Sequence, residues 1–249
     1  MRTLSDRMAR REDIAQYCRR LSLSQTAAQM TEHATQKQEE FLWRVLQEEV
    51  AQREQNRRAR LISRAGFPAI KTLASFDRGA VKLPSTLPWS DLESGQFITE
   101  QRNLVCYGPV GTGKTHMATA LGLQACERGQ LVRFFTVTAL VVRLSEAQRT
   151  GTLERLMKEL HRADMLILDE WGYVPLDRTG AQLLFRIVAD SYETRSIVIT
   201  TNLEFSKWGS IFADDQMAAA MIDRLAHHGQ LLVFTGESYR MKHALMKER

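Results

Sequence analysis

The sequence predicts an α/β fold built on a mostly parallel sheet and preceded by an all-α module. After about residue 100, short apolar runs alternate with longer helical stretches; the runs are NLVCY, LVRFF, DMLIL, SIVIT and LLVF. Strands that are apolar on both faces are typical of parallel sheets covered by helices on both sides. The residues before position 66 contain no such alternation and have the periodicity of helices instead.

The helical module is predicted for residues 1–65. No glycine or proline occurs from Ser24 to Ala65, and apolar residues within FLWRVLQEEV recur at helical spacing, which predicts one long amphipathic helix. Gly66 and Pro68 follow, and both residue types commonly end helices. The earlier segment LSDRMARREDIAQYCRRL predicts a separate, shorter helix.

A basic linker with some tertiary anchoring is predicted for residues 66–98, and the α/β domain for residues 99–249. The linker segment contains three of the five prolines and shows little periodicity. A chain of 249 residues with 44% hydrophobic content can bury one α/β core and still form a smaller accessory region.

The positive charge of the chain is concentrated in its first third. Residues 1–78 contain 15 Lys and Arg against 10 Asp and Glu, which accounts for the whole net charge of +5. Such a local field attracts polyanions such as nucleic acid or an acidic membrane surface, although a solvated helical surface is the alternative. The candidate DNA contacts are Arg57, Arg58, Arg60, Arg64 and Lys71. No helix carries the residues of a base-reading surface, so little sequence specificity is expected.

Cysteine usage and hydropathy predict a cytoplasmic protein. Cys18, Cys106 and Cys126 are too few and too scattered for a disulfide framework or a zinc site, so we expect reduced thiols. The N-terminus is polar, and no apolar stretch approaches the roughly 18 residues of a membrane span, so neither secretion nor membrane insertion is expected.

The octapeptide Gly108–Thr115, GPVGTGKT, satisfies the pattern G-x-x-x-x-G-K-[ST] between a predicted strand and a predicted helix. Its backbone N–H groups are expected to face the phosphates of ATP, aided by the positive end of the helix dipole. Lys114 would neutralise β- and γ-phosphate oxygens, and the Thr115 hydroxyl would bind Mg²⁺.

Two further strands are predicted to bring polar residues to the same site. MLILDE delivers Asp169, a candidate Mg²⁺ ligand, and Glu170, a candidate for orienting or deprotonating the attacking water. This pair favours hydrolysis, with a surface pair that ends a strand as the alternative. SIVITTN ends at Asn202, which could contact the γ-phosphate and the water, or could be a turn residue.

The order of four features resembles that of the AAA+ ATPases: a phosphate loop, a DE strand, a strand ended by Asn and a later helical arginine. Among these ATPases, the chain resembles IstB helpers of insertion-sequence transposases, which are related to the helicase loader DnaC and the initiator DnaA. The resemblance covers about residues 21–246 and is carried by EEFLWRVLQEEVAQREQNRRARLISRAGFPAIKTLASFD, GPVGTGKTHMATALG, LILDEWGYVPL, IVITTNLEFSKWG and DRLAHHGQLLVFTGESYR.

The resemblance implies roles for two arginines. Arg224 would act as a finger supplied to a neighbouring subunit, with an ordinary surface charge as the alternative. Arg240 would be a second sensor, but only 15 residues follow LLVF, so no full C-terminal lid is expected and a surface charge is an equal alternative. Asn202 would be the first sensor. Phe97 and Ile98 match positions that contact adenine in such proteins, or belong to the core.

The predicted catalytic residues are therefore Glu170, Asn202 and Arg224, and the predicted metal ligands are Thr115 and Asp169. His116 directly follows the loop and joins the binding set, although its side chain, like those of His227 and His228, is interpreted as a surface or packing residue. The predicted nucleotide-binding set is Gly108, Pro109, Val110, Gly111, Thr112, Gly113, Lys114, Thr115, His116, Asp169 and Arg240.

The expected function is that of an ATP-hydrolysing, Mg²⁺-dependent homo-oligomer that assembles on duplex DNA and recruits or activates a transposase. A DnaC-like loader of a replicative helicase is the alternative, and the helical module with its FLWRVLQEEVAQRE segment favours the transposition helper. A metabolic phosphotransferase has little support, because no substrate-binding insertion or second domain is visible in the sequence.

Overall fold

The computed structural model describes residues 2–212 and 214–242, so the last seven residues of the predicted 99–249 domain lie outside the described part. The chain divides into two compact units, residues 1–60 and 61–249, and the boundary falls within the third helix.

The first unit is helical. It contains α1 (Arg2–Arg20), α2 (Gln25–Gln29) and the main part of α3 (Gln36–Ala65). Its small core consists of Ile14, Cys18, Leu21, Leu46 and Val50. Of the apolar positions that made α3 amphipathic in sequence, Leu46 and Val50 are buried, whereas Phe41 and Val45 are exposed.

A buried carboxylate adds a polar contact between α1 and α3. The Glu39 side chain is inaccessible to solvent, and it accepts hydrogen bonds from Arg7 at 2.8 Å and from Arg11 at 2.8 Å. These guanidinium groups, Arg7 first, lower the pKa of Glu39, because they favour the charged form more than burial disfavours it.

The second unit contains a six-stranded sheet in the order β1-β6-β2-β5-β4-β3. The two-residue strand β1 pairs antiparallel with β6, and all other neighbours are parallel. The strands are β1 (Val81–Lys82), β2 (Asn103–Tyr107), β3 (Val132–Thr136), β4 (Met165–Trp171), β5 (Ser196–Thr201) and β6 (Gly229–Phe234). The five apolar runs in the sequence thus correspond to β2–β6, and the prediction of a mostly parallel sheet is confirmed.

Helices cover both faces of this sheet. Alternate residues of β4 enter two different clusters. Leu166 and Leu168 pack with α7 (Val137–Arg149), α9 (Arg178–Ser191) and α11 (Asp215–His227), whereas Met165 and Ile167 pack with α6 (Lys114–Glu127). This alternation explains why β4 is apolar at every position from Met165 to Leu168. The helices of the unit are α4 (Trp89–Ser94), α5 (Gln96–Thr99), α6 (Lys114–Glu127), α7 (Val137–Arg149), α8 (Leu153–His161), α9 (Arg178–Ser191), α10 (Gly209–Phe212), α11 (Asp215–His227) and α12 (Tyr239–Lys242).

The segment 66–98 supplies buried side chains to the second unit. Leu73, Phe76, Leu87 and Leu92 all belong to the cluster that packs on α6. Phe97 and Ile98, for which sequence left adenine contact and core packing open, lie in the same cluster and are 1% and 5% exposed. Among the described residues, no helix combines the length and apolar character needed to cross a membrane.

Candidate nucleotide-binding site

The predicted site residues converge at one edge of the sheet. Because β2, β4 and β5 are parallel, their carboxyl ends meet there: Tyr107 pairs with Thr201, and Thr201 also pairs with Trp171. The phosphate loop after β2, the acidic pair on β4 and Asn202 after β5 therefore lie at the same edge, where open parallel sheets bind ligands.

The phosphate loop has a backbone that only glycine tolerates at two positions. Gly108 and Gly111 have φ angles of 153° and 82°. A Cβ on Gly108 would lie 2.3 Å from the carbonyl oxygen of Phe234, and one on Gly111 would lie 2.1 Å from Ser238 Oγ. Inside the loop, the buried Thr112 hydroxyl donates to the Pro109 carbonyl at 2.8 Å, while Val110 is exposed at the tip.

Lys114 begins α6 and is buried within the loop. Its ammonium group donates to the carbonyl oxygens of Gly108, at 2.8 Å, and Pro109, at 2.6 Å, and the residue is only 7% exposed. Burial is the main cause that lowers the pKa of Lys114; Cys106 and Asp169 oppose this shift, and the positive charge of Arg240 adds to it. An anion at this position would offset the effects of burial and of Arg240, so the residue fits a phosphate group.

Thr115 and Asp169 are already in contact. The Thr115 hydroxyl lies 2.9 Å from Asp169 Oδ1, and the Asp169 side chain also accepts a short hydrogen bond from Thr200. A hydroxyl and a buried carboxylate beside a phosphate loop are the oxygen donors that Mg²⁺ prefers, so the residues fit this ion.

Glu170 lies on a β-bulge, and its side chain is placed differently from that of its neighbour Asp169. Leu168 pairs with Ile199 and Trp171 with Thr201, so β4 has one more residue than β5 over this interval. Glu170 has a left-handed φ of 61° and is exposed, whereas Asp169 is 5% exposed. Strained backbone of this kind clusters at functional sites, because it re-aims a side chain.

Sequence reasoning missed Thr200. Besides bonding Asp169, its hydroxyl oxygen accepts from the Glu170 backbone N–H at 3.1 Å, so it fixes both carboxylate-bearing residues. The sequence did contain a signal for Thr200. Residues two positions apart in a strand point to the same face, and Thr200 lies two positions before Asn202 at the end of β5. Asn202 itself is exposed just beyond the strand.

His116 lies in the first turn of α6 but contacts a different segment. Its Nε2 lies 2.9 Å from the carbonyl oxygen of Thr72, and its ring packs edge-on against Phe76 with centroids 5.5 Å apart. The side chain therefore connects α6 to residues 72–76.

The two arginines lie in different surroundings. Arg224, half-buried on α11, donates to the Ala220 carbonyl at 2.9 Å, and its guanidinium lies 5.1 Å from the Phe185 ring centroid on α9. Arg240 is on α12. This helix contacts the phosphate loop through the Tyr239 N–H, which donates to the Gly111 carbonyl at 3.0 Å. The structure thus brings Arg240 close enough to the phosphate loop for its charge to lower the pKa of Lys114.

The five candidate DNA contacts are exposed and divide between the two units. Arg57, Arg58 and Arg60 belong to the first, Arg64 and Lys71 to the second. Arg58 forms a long ion pair with Glu54, at 3.9 Å. An exposed pair of this length competes weakly with a phosphate.

The family model of IstB-like ATP binding proteins matches residues 19–247. The chain belongs to this family. It is 35% identical over 244 residues to an ATP-binding protein of insertion sequence IS5376 from Geobacillus stearothermophilus, covering 96% of this chain and 97% of the relative. This IstB-like chain is also 38% identical over 223 residues to that of IS21 from Pseudomonas aeruginosa, covering 88% and 84%.

Solved structures identify the fold of this IstB-like chain as that of AAA+ replication proteins. The DnaC helicase loader superposes with a TM-score of 0.50 at 22% identity, over 61% of this chain and 92% of its own. The replication initiator DnaA bound to AMPPCP and single-stranded DNA superposes with a TM-score of 0.56 at 20% identity, over 71% and 54%. The predicted AAA+ core is thereby confirmed.

Proposed function

We propose that this IstB-like protein is an Mg²⁺-dependent ATPase that forms an oligomer on duplex DNA and recruits or activates a transposase. The observation that carries the proposal is the joining of Lys114, Thr115 and Asp169 at one sheet edge, with Glu170 re-aimed beside them by the bulge. The insertion-sequence relatives supply the biological context.

Lys114 and the loop N–H groups bind the phosphates in this mechanism. The buried ammonium exchanges its two carbonyl contacts for phosphate oxygens. Thr115 and Asp169 would hold Mg²⁺, and the ion would supply positive charge beside the phosphates. Glu170 stays exposed to solvent and orients the attacking water, while Asn202 contacts the water or the γ-phosphate.

Thr200 is the positioning residue for both acids. Its hydroxyl donates to Asp169 and accepts from the Glu170 N–H, so a single side chain fixes the distance between the metal ligand and the residue that acts on water. Catalysis that depends on orientation is sensitive to displacements of about 1 Å, so such a link is functionally important.

Oligomer formation is supported by Arg224. Among the described residues, its partners are a backbone carbonyl and an aromatic ring, and neither neutralises its charge. We assign it to the γ-phosphate of a neighbouring subunit, where an arginine contributes far more than a surface ion pair does.

Duplex DNA is the proposed scaffold for this assembly. Arg57, Arg58 and Arg60 of the first unit are exposed and offer several phosphate contacts, and Arg64 and Lys71 of the second unit offer others; such contacts carry no sequence information. The transposase would then be recruited to the ATP-bound, DNA-bound form.

The test is negative-stain imaging of the full chain with and without duplex DNA and a non-hydrolysable ATP analogue, followed by capture of the element's transposase or of a replicative helicase. We expect ordered oligomers only with DNA and analogue together, and capture of the transposase. Monomers under all conditions would contradict the oligomeric switch, and helicase capture alone would favour a loader.

A further inference from the structure

A second group of ionisable side chains lies at the opposite edge of the sheet. Glu193 precedes β5, and His227 and His228 precede β6, so all three are at the amino ends of their strands. One ligand atom from each of the three lies within 4.8 Å of the others. The phosphate loop is at the carboxyl edge, so this group is not part of the nucleotide site.

The side chains of this group are already oriented toward one another. His228 Nε2 lies 3.1 Å from Glu193 Oε1, and the Tyr192 hydroxyl lies 2.8 Å from His227 Nδ1. The two imidazole rings are nearly perpendicular, at 81°, with centroids 4.3 Å apart. Two consecutive residues at a helix end thus direct their rings to the same place.

We propose that Glu193, His227 and His228 bind one divalent transition-metal ion of the Zn²⁺ type. Two imidazole nitrogens and one carboxylate oxygen are a common Zn²⁺ ligand set, with water completing a tetrahedron. Tyr192 acts as an orienting partner, because its hydroxyl fixes the plane of the His227 ring.

The ligand atoms of Glu193, His227 and His228 must move slightly closer together to bind one ion. Ligands about 2.0 to 2.2 Å from a tetrahedral ion lie roughly 3.3 Å apart, which is about 1.5 Å less than the largest separation allowed by the observed cluster. The His228 and Glu193 side chains are 37% and 58% exposed, so small rotations meet little steric resistance. Their existing 3.1 Å contact already has the required spacing.

Metal binding would join two turns that flank β2. Asn103, the first residue of β2, donates its N–H to the His228 carbonyl at 2.8 Å, and its Oδ1 accepts from the Ile197 N–H at 2.9 Å. The ion would add a link outside this buried contact. It would restrain the C-terminal end of α11, one turn beyond Arg224.

The experiment uses the full chain, freed of metal with EDTA, desalted and without nucleotide. Zn²⁺ is titrated against a chromophoric chelator, and Co²⁺ is used to record the absorption of the bound ion. We expect one equivalent with a micromolar or lower Kd, a tetrahedral Co²⁺ spectrum, and a higher Tm with Zn²⁺.

The variants locate the ion. The double variant His227→Asn/His228→Asn should lose stoichiometric binding, and Glu193→Gln should weaken it about tenfold. His33→Asn, an exposed histidine of the first unit, is the matched control, and Asp169→Asn tests the nucleotide site; both should bind Zn²⁺ as the unaltered chain does.

Equal binding by the double variant and the unaltered chain, or loss of binding in Asp169→Asn alone, would overturn the proposal. So would the absence of binding in the unaltered chain, which would leave an ordinary Glu–His ion pair. Far-UV circular dichroism checks folding; if the double variant is unfolded, the exposed Glu193→Gln substitution decides by itself.

Discussion

Lys114 and Arg224 are two cationic side chains that the proposed reaction brings to the transferring phosphate, and the chain holds them in opposite ways. Lys114 is 7% exposed and bonds two carbonyls of its own loop. Arg224 is half-buried on α11 and contacts one carbonyl of the preceding turn and the ring of Phe185.

The difference shows which part of the site one chain can complete. In the proposed mechanism, the groups that bind phosphate and metal already contact one another within one chain. Arg224, by contrast, has contacts within the chain that do not involve the phosphate loop. The four predictions below test this contrast, from the largest expected effect to the smallest.

Arg224→Ala should leave ATP binding by a single subunit nearly unchanged and lower hydrolysis by about 10³-fold or more, the range observed when an arginine finger is removed. The measurement is ATP turnover with DNA present, beside binding of an ATP analogue.

The control for this prediction mixes Arg224→Ala with Lys114→Ala. In a mixed oligomer an intact loop can face an intact arginine, so part of the activity should return. If co-assembly is demonstrated and the mixture is still inactive, Arg224 does not act across a subunit boundary.

Glu170→Gln should reduce turnover by about 10²-fold while preserving ATP affinity, because the amide keeps the size of the side chain but no longer accepts a proton from water. Glu127→Gln, an exposed acid at the end of α6, is the matched control and should turn over ATP normally. Unchanged turnover in Glu170→Gln would remove Glu170 from the reaction.

Lys114→Ala should weaken ATP binding by about 10- to 100-fold, the worth of a charge-assisted contact. Lys158→Ala on α8 is an exposed control. Fluorescent-analogue titration measures the change, and equal affinities for the two variants would mean that the buried ammonium serves only the fold of the loop.

Duplex DNA affinity should fall steeply with salt, and Arg60→Ala should reduce the slope of log affinity against log salt by about 0.9, roughly threefold between 50 and 200 mM. Arg44→Ala, on the same helix but paired with Glu40 at 2.6 Å, is the control. A slope unchanged by Arg60→Ala would exclude that residue from the DNA contact.

Local patterns were enough to predict most of the fold and the residues of the candidate phosphate site. Every apolar run became a strand, because a parallel strand buried on both faces needs no partner information to be recognised. Gly108–Thr115 and the acidic pair were equally readable, since their chemistry depends on residues close together in sequence.

Features that depend on distant segments were not readable. The bulge at Glu170 interrupts a regular strand without a glycine to mark it, and Thr200 gains its importance only from the pairing of β5 with β4. His227, interpreted as a surface residue, meets Tyr192 across 35 positions of sequence. The exposure of Phe41 likewise depends on which face of α3 packs in the small core of the first unit.

The close approaches at Gly108 and Gly111 affect how loss-of-function alleles would be interpreted. Alanine at Gly108 would displace the β6 backbone at Phe234, and alanine at Gly111 would displace the Ser238 segment, with no phosphate involved. A genetic screen that collects inactive alleles in this loop would therefore mix defects in nucleotide binding with local misfolding. Lys114→Ala adds no atom at such a close approach, but it removes the hydrogen bonds to Gly108 and Pro109, so its phenotype is assigned to ATP only beside a folding control.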